Sequence, residues 1–336
     1  LMAVCTTRQE TALASQKAFG TNLAFPHFDA MLACSDIDLV TVVTRVPTHH
    51  DLVMRALKAG KGVYCEWPLG ATLAEAEEMA ELATARGLYS AVGLQARSDP
   101  TLTYARELIQ QGYVGEVMAV DFGYISQAST RRGIGRLWQS DRKNGANILT
   151  IGAGHAIDAL SFVLGDFSEV SARLATTITE WTNADTGETV KVDSPDWISV
   201  SGRLVNKAEV SFLVAAVAAY PEGRRTFEIY GREGVLSVAV AASECGGERN
   251  PSVYHGPNQL FGARGKNPLA PLPTPTRFTL IPDSVPAGPP RNVAQAYARL
   301  ARAMAEGDPY SPSFAEAVRA HQLVAAVERS AAFGRA

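Results

Sequence analysis

The chain has 336 residues, of which 46% are hydrophobic and 19% charged. That length suggests about two domains, and the composition excludes a disordered chain. With 31 Lys and Arg against 34 Asp and Glu, the formal net charge is −3, so no global field draws the chain to nucleic acid or to an anionic membrane.

In chain order, two periodicities alternate over residues 1–100. Residues 1–5 form a short apolar run. Residues 9–19 have helical spacing and stop at Gly20. Residues 37–44 are apolar and β-branched, as expected for a strand buried on both faces. Residues 51–59 are again helical, with Gly60 as the stop, and residues 62–65 are strand-like. Thr72 followed by Glu75 is a capping-box signature that opens a helix to about residue 86. Residues 89–93 give another strand. This alternation predicts βαβ units and a parallel sheet.

The rest reads differently. Residues 117–124 are strand-like, and residues 144–163 are expected to be helical behind a Gly-rich entry. Strands are then expected at residues 170–177, 197–204, 207–215, 227–230 and 235–240, without long helices between them, which predicts a mostly antiparallel sheet. Residues 246–290 are rich in Gly and Pro and are expected to form a long surface excursion. Helices at residues 292–306 and 313–333 close the chain. The cysteines, Cys5, Cys34, Cys65 and Cys245, form no C-x-x-C pair; they fit neither a disulfide scaffold nor a zinc ribbon and suit a reducing, cytoplasmic compartment. The longest apolar stretches, such as residues 210–219, which Ser211 interrupts, fall short of the roughly 20 residues of a membrane span.

Several motifs stand in order: Asp36-Ile-Asp-Leu-Val-Thr-Val-Val-Thr44, Pro47-Thr-His49, Gly62-Val-Tyr-Cys-Glu66-Trp67-Pro68, Gly93-Leu-Gln95-Ala-Arg97, Gly112-Tyr-Val-Gly115-Glu116, Gly154-His155-Ala-Ile-Asp158, Gly231-Arg-Glu-Gly234 and Phe314-Ala-Glu-Ala-Val-Arg-Ala-His321. Together they resemble the Gfo/Idh/MocA oxidoreductases, the family of glucose–fructose oxidoreductase and inositol dehydrogenase. The resemblance implies an α/β fold. It consists of a Rossmann dinucleotide-binding domain over residues 1–96 and an α/β domain with an open antiparallel sheet over residues 97–336. It also implies hydride transfer between NAD or NADP and a sugar-like or polyol substrate, and a homodimer or homotetramer built on the open sheet. No DNA-reading element is visible.

Three departures matter. No G-x-G-x-x-G fingerprint is present, although in the family it lies about 20 residues before the acidic end of the second strand, and residues 1–5 already look like that second strand. The Rossmann domain is therefore expected to be N-terminally incomplete, its first strand and Gly-rich loop lying in an upstream segment; a degenerate relative is the alternative. The family's Glu-Lys-Pro motif reads Glu66-Trp67-Pro68, and an indole cannot act as a base. Ile151 stands where an Asp often precedes the family's active-site histidine. The Trp after Glu66 is also similar to a non-enzymatic branch, the fungal galactose-regulon repressors, which bind a dinucleotide and work by protein–protein contact. A regulator that has lost turnover is the rival reading.

By resemblance, His155 is the acid/base and Asp158, on the same helical face at i, i+3, orients it or meets substrate. The bland alternative is a helix-start histidine bonded to backbone. No third ligand at metal spacing accompanies the pair. Trp67 would wall the nicotinamide pocket, with Glu66 and Pro68 shaping the turn and a cis Trp67–Pro68 bond allowed. Thr44 and His49 would flank the dinucleotide, or simply form a strand-end loop. Gln95 and Arg97 follow the last Rossmann strand; Arg97 either faces the nicotinamide or is an interdomain structural arginine. Thr6, Thr7 and Arg8 stand where NAD enzymes carry an acidic residue; they either favour NADP or simply form a polar turn. The basic loop of Arg131, Arg132, Arg136, Arg142 and Lys143 either meets an anionic substrate or is solvated, and Trp138 within it either stacks on a sugar or packs.

Overall fold

The computed structural model describes residues 1–219, 224–240 and 252–333. Its first part alternates short strands and helices: β1 (Ala3–Cys5), α1 (Gln9–Phe19), β2 (Leu23–Phe25), α2 (Phe28–Leu32), β3 (Leu39–Val42), α3 (His49–Lys58), β4 (Gly62–Cys65), α4 (Leu73–Ala85) and β5 (Ser90–Val92). All strand pairs here are parallel. They form two sheets, β1–β2 and β3–β4–β5. Strand β4 is buried at every position because β3 and β5 flank it and helices cover both faces, which accounts for its unbroken apolar run. Thr72 caps α4 by accepting from the Glu75 N–H at 3.2 Å, while the Glu75 carboxylate accepts from the Ala71 N–H at 2.7 Å.

The second part carries α5 (Pro100–Gln110), β6 (Val117–Gln127), β7 (Arg131–Arg132), α6 (Gly154–Leu164), β8 (Phe167–Ala175), β9 (Glu180–Asn183), β10 (Thr189–Lys191), β11 (Trp197–Leu204), β12 (Glu209–Ala218), β13 (Arg225–Gly231), β14 (Gly234–Val240), β15 (Asn258–Arg264), β16 (Ala270–Pro271), α7 (Pro289–Glu306) and α8 (Phe314–Phe333). Eight strands form one sheet in the order β16-β15-β14-β13-β6-β12-β11-β8. Every pair is antiparallel except β6–β12, so the sheet is mostly antiparallel, as expected, with one parallel join. A single parallel join at its centre lets β6 enter from the first part and β12 return beside it. Phe122, Phe212 and Phe227 pack from adjacent strands, with ring centroids 5.2 and 5.4 Å apart, onto the inner face under α5 and α6.

Helix α8 joins the two cores. Phe314, Ala317 and Ala320 from its first half pack among Val42, Leu57, Trp67 and Leu94 of the parallel region, while Val324 and Val327 from its second half pack under the large sheet. Helix α7 adds Leu300 and Ala303 around Tyr64. The last two helices thus cross back over the expected boundary at residue 96.

The expected helix at residues 144–163 is three pieces. A 3-10 turn, Arg142–Asn144, leads to a π turn, Ile148–Ala153, and then to α6. Together they make one stretch, Arg142–Leu164, long and apolar enough to cross a membrane, but its apolar 18-residue window is 72% buried inside the protein. The surface excursion expected at residues 246–290 is corrected over residues 252–264, where Ser252, Val253 and Tyr254 are buried and β15 adds a strand to the sheet; residues 265–290 run mostly exposed with little regular structure. Residues 246–251 lie outside the described residues. Free thiols are found at Cys5, Cys34 and Cys65; Cys245 also lies outside.

The two parts meet closely at Gly145. Its φ is +64°, and a Cβ there would stand 2.4 Å from Ala71 Cα. Gly145→Ala is therefore expected to destabilise the protein by about 2 kcal/mol or more, read as a lower denaturation midpoint; an unchanged midpoint contradicts this packing.

Candidate functional site

Ligands of open α/β sheets sit beyond the carboxyl ends of the strands, and Thr44, Glu66, Trp67 and Gln95 follow the ends of β3, β4 and β5. The residues after β4 turn sharply. The Glu66 N–H donates to the Val42 carbonyl at 3.0 Å, and its side chain folds beneath Gly93, where a Cβ would stand 2.4 Å from Oε2. Gln95 Nε2 donates to that oxygen at 3.1 Å. Burial pushes the Glu66 carboxyl up to about 7, with the neighbouring Tyr64 and Gln95 side chains pulling the other way.

Trp67 is 5% exposed, and the bond from it to Pro68 is cis. Its indole N–H donates to the Thr150 carbonyl at 2.8 Å, so that donor is already used. One face tilts onto the His321 ring at a centroid distance of 4.6 Å. Another edge occupies the space a Gly154 Cβ would need, 2.7 Å from the ring. His49 fixes the adjoining turns: its Nδ1 lies 2.9 Å from the Pro68 carbonyl and its Nε2 3.1 Å from the Thr44 carbonyl. The Thr44 hydroxyl pairs with that of Thr48 at 2.8 Å.

His155 enters from the other side. Asn147 caps the π turn by accepting from Leu149 and Thr150 N–H groups at 3.0 and 3.2 Å, and Thr150 Oγ1 accepts from the Asn147 N–H at 2.9 Å. This places His155 in the first turn of α6, directly after Gly154, which packs against the Trp67 ring. The imidazole lies parallel to Tyr254, centroids 5.5 Å apart, and edge-on to His255 at 5.7 Å. Burial, and then the neighbouring His255, lower its pKa to about 3, which keeps the ring neutral. Its Nδ1 has no hydrogen-bond partner among the described residues, and neither has Gln95 Oε1.

The Asp158 carboxylate is taken up by Arg97. It accepts three bonds, two from Nε at 3.0 and 3.1 Å and one from Nη2 at 2.6 Å, and Arg97 Nη1 donates to Glu316 at 2.7 Å. This buried cluster ties the end of β5, α6 and α8 together. It matches the interdomain reading of Arg97. The i, i+3 spacing put Asp158 on the right face, but a guanidinium 61 residues away claims it.

Thr6, Thr7 and Arg8 lie apart, at the end of β1 on the other parallel sheet. The Thr6 hydroxyl is engaged with Arg8 O and Thr11 Oγ1, while the Thr7 and Arg8 side chains are exposed. The basic loop disperses: Arg132 stacks over Trp181 at 3.6 Å, and Arg142 pairs with Glu328 at 2.8 Å. The Trp138 N–H donates to Gly135 O at 3.0 Å. Sequence reasoning missed Tyr254 and His255, hidden in the Gly/Pro-rich stretch, and the part His321 plays beside Trp67. The motif ending at His321 was the available signal.

Residues 1–94 match the model of the oxidoreductase family with an NAD-binding Rossmann fold, and residues 100–239 match that of the Gal80p C-terminal domain. The chain joins a Gfo/Idh/MocA Rossmann domain to a Gal80p-like domain. Dehydrogenase aclE of Aspergillus oryzae is 33% identical over 60% of this chain and 57% of its own length. The galactose/lactose metabolism regulatory protein GAL80 of Saccharomyces cerevisiae is 28% identical over 54% of this chain and 45% of its own. These matches thus span about half of each relative. Levoglucosan dehydrogenase of Pseudarthrobacter phenanthrenivorans is 26% identical over 96% of this chain and 85% of its own. A levoglucosan dehydrogenase structure with NADH and levoglucosan superposes with a TM-score of 0.84, at 23% identity, over 98% of this chain and 88% of that one. A Gal80p super-repressor mutant gives 0.84 at 21% identity over 99% and 89%. The fold is shared by a named dehydrogenase and a named regulator.

The buried groups predict opposite pH responses. As pH falls through 6.5, the unfolded histidine takes a proton first, while folded His155 resists down to about 3; its contribution to stability is lost across that window. His155→Asn should flatten the acid side of a pH–stability curve. Glu66 has the opposite sign. As pH rises from 4.5 to about 7, the unfolded carboxyl ionises first and stability falls. Glu66→Gln should gain on wild type across that range in denaturant midpoints; a pH-independent difference contradicts the burial argument.

Proposed function

We propose that the chain acts as an NAD(P)-dependent oxidoreductase on a hydroxyl of a sugar-like or polyol substrate, with His155 as the acid/base. One observation carries this: a buried, neutral imidazole with an unpartnered nitrogen stands in the first turn of α6, directly after the Gly154 that packs against Trp67. The nicotinamide end of the cofactor fits these residues. Gln95 Oε1 and His155 Nδ1 are buried polar atoms that call for polar partners, and Trp67 offers a flat apolar surface. No glycine-rich cradle for the pyrophosphate occurs in the sequence. At the far end Thr7 and Arg8 offer a hydroxyl and a guanidinium that suit a 2′-phosphate, which favours NADP.

When bound, the cofactor supplies the hydride chemistry. The neutral His155 accepts the proton leaving the substrate hydroxyl, or returns it in the reverse direction. The same burial that holds its pKa low makes it a weak base, and a polar substrate beside it relieves that desolvation. Trp67 contributes shape only, since its N–H serves Thr150. Asp158 acts on His155 at one remove, by fixing α6 through Arg97. The site is most simply that of a cytoplasmic enzyme with small-molecule partners, assembled as a dimer or tetramer.

A regulator that binds a dinucleotide without turnover is the second reading. The tryptophan in place of the lysine favours it, because an indole cannot take up a proton as a lysine could. Substrate-dependent reduction of NADP or NAD across a panel of sugars and polyols separates the two. His155→Ala should lower turnover by about 100-fold or more and leave dinucleotide binding intact; unchanged turnover removes His155 from the chemistry.

A further inference from the structure

A cavity of about 430 Å3 lies outside this site, between the start of α5, the end of α6, residues 277–280 and α7. Five arginines line it, namely Arg97, Arg106, Arg277, Arg299 and Arg302, against two carboxylates, Glu306 and Asp308. Gathering like charges round one space is unfavourable unless something compensates them.

The compensation within the chain is partial. Arg97 is matched by Asp158 and Glu316, Arg277 by Glu107, and Arg302 by Glu306 at 2.9 Å. Arg299 is anchored by neutral groups instead. Its Nη1 donates to the Arg97 carbonyl at 2.8 Å and to Ser98 Oγ at 3.2 Å, and its Nη2 to the Ser311 carbonyl at 3.2 Å. Arg106 lies over the face of Phe162, 4.6 Å from the ring centroid. Neither Arg106 nor Arg299 forms an ion pair among the described residues.

The stacking has a chemical consequence. A guanidinium laid on an aromatic face keeps its in-plane N–H donors turned outward, and that planar fork matches phosphate oxygens. Arg277 is held the same way over Phe278 at 4.5 Å. Phe162, Phe278 and Leu280 also line the space, so the walls offer apolar surface beside the cations. The volume suits a small organic ligand.

We propose that this cavity is an accessory binding site for a phosphomonoester: a small metabolite whose dianionic phosphate meets Arg106 and Arg299 and whose organic part lies against Phe162 and Phe278. It is separate from the proposed cofactor site, since neither Trp67 nor His155 lines it.

Calorimetric titration of the full chain, with NADH held at a constant excess, tests this. Adenosine monophosphate and a pentose phosphate are the probes; adenosine, the uncharged pentose and inorganic phosphate are the controls. Either ester should bind while its uncharged counterpart does not. Arg106→Ala, an exposed position chosen to spare the fold, should weaken that binding about tenfold or more. Inorganic phosphate binding as tightly as the esters upholds the anion site and removes the role of the aromatic wall. Absence of binding by every dianion overturns the proposal. So does ester binding that Arg106→Ala and Arg277→Ala both leave unchanged, because the ligand then sits elsewhere.

Discussion

Arg97 is held between two carboxylates that arrive from distant parts of the chain. It follows the last strand of the parallel region, Asp158 comes from α6, and Glu316 from the start of α8. Burying these groups is tolerable only because each is matched and hydrogen-bonded, and removing one partner from such a cluster leaves an uncompensated charge. The cluster therefore fixes how α6 and α8 meet the parallel strands. Helix α8 carries the same join onward, with one half in each hydrophobic core. Both ends of the candidate site depend on this geometry, because Trp67 comes from the parallel region and His155 from α6.

The indole makes that junction tight and reshapes the chemistry. It fills the space left by Gly154, leans on His321 and spends its N–H on Thr150. A lysine at this position would bring a mobile charge; the tryptophan brings a dry, rigid wall. Burial pushes two titratable groups on either part of the chain in opposite directions, a carboxyl raised to about 7 at Glu66 and an imidazole lowered to about 3 at His155. Separation of this kind is how titratable groups come to hold different protonation states at one pH. It is compatible with turnover and with a binding protein that merely senses a dinucleotide, which is why fold likeness alone leaves the two apart.

Local signals in the sequence were strong wherever they were self-contained. The β-branched run at β3, the Thr72 cap and the glycine stops all mark real boundaries, and the motif at residues 66–68 marks the turn after β4 where Trp67 is buried. Signals that depend on partners elsewhere were weaker. Strand β2 has three residues, too few for a period. Helix α5 was passed over although Asp99 and Pro100 form its cap. Strand β15 and the Tyr254–His255 pair lie in a stretch whose Gly and Pro content reads as loop. The parallel pairing of β6 with β12 is a matter of topology that no single strand encodes. Asp158 shows the same limit within the site: spacing gives the face of a helix, not the group opposite it.

The central claim is that this site moves a hydride while His155 handles the proton. The most direct measurement incubates the chain with NADPH or NADH carrying deuterium at the transferable position and a panel of keto-sugars, then reads the products by mass spectrometry. The account predicts deuterium on the carbinol carbon of at least one product, lost in His155→Ala. Demonstrable cofactor binding with no deuterium in any product would contradict it and leave the regulatory reading in its place.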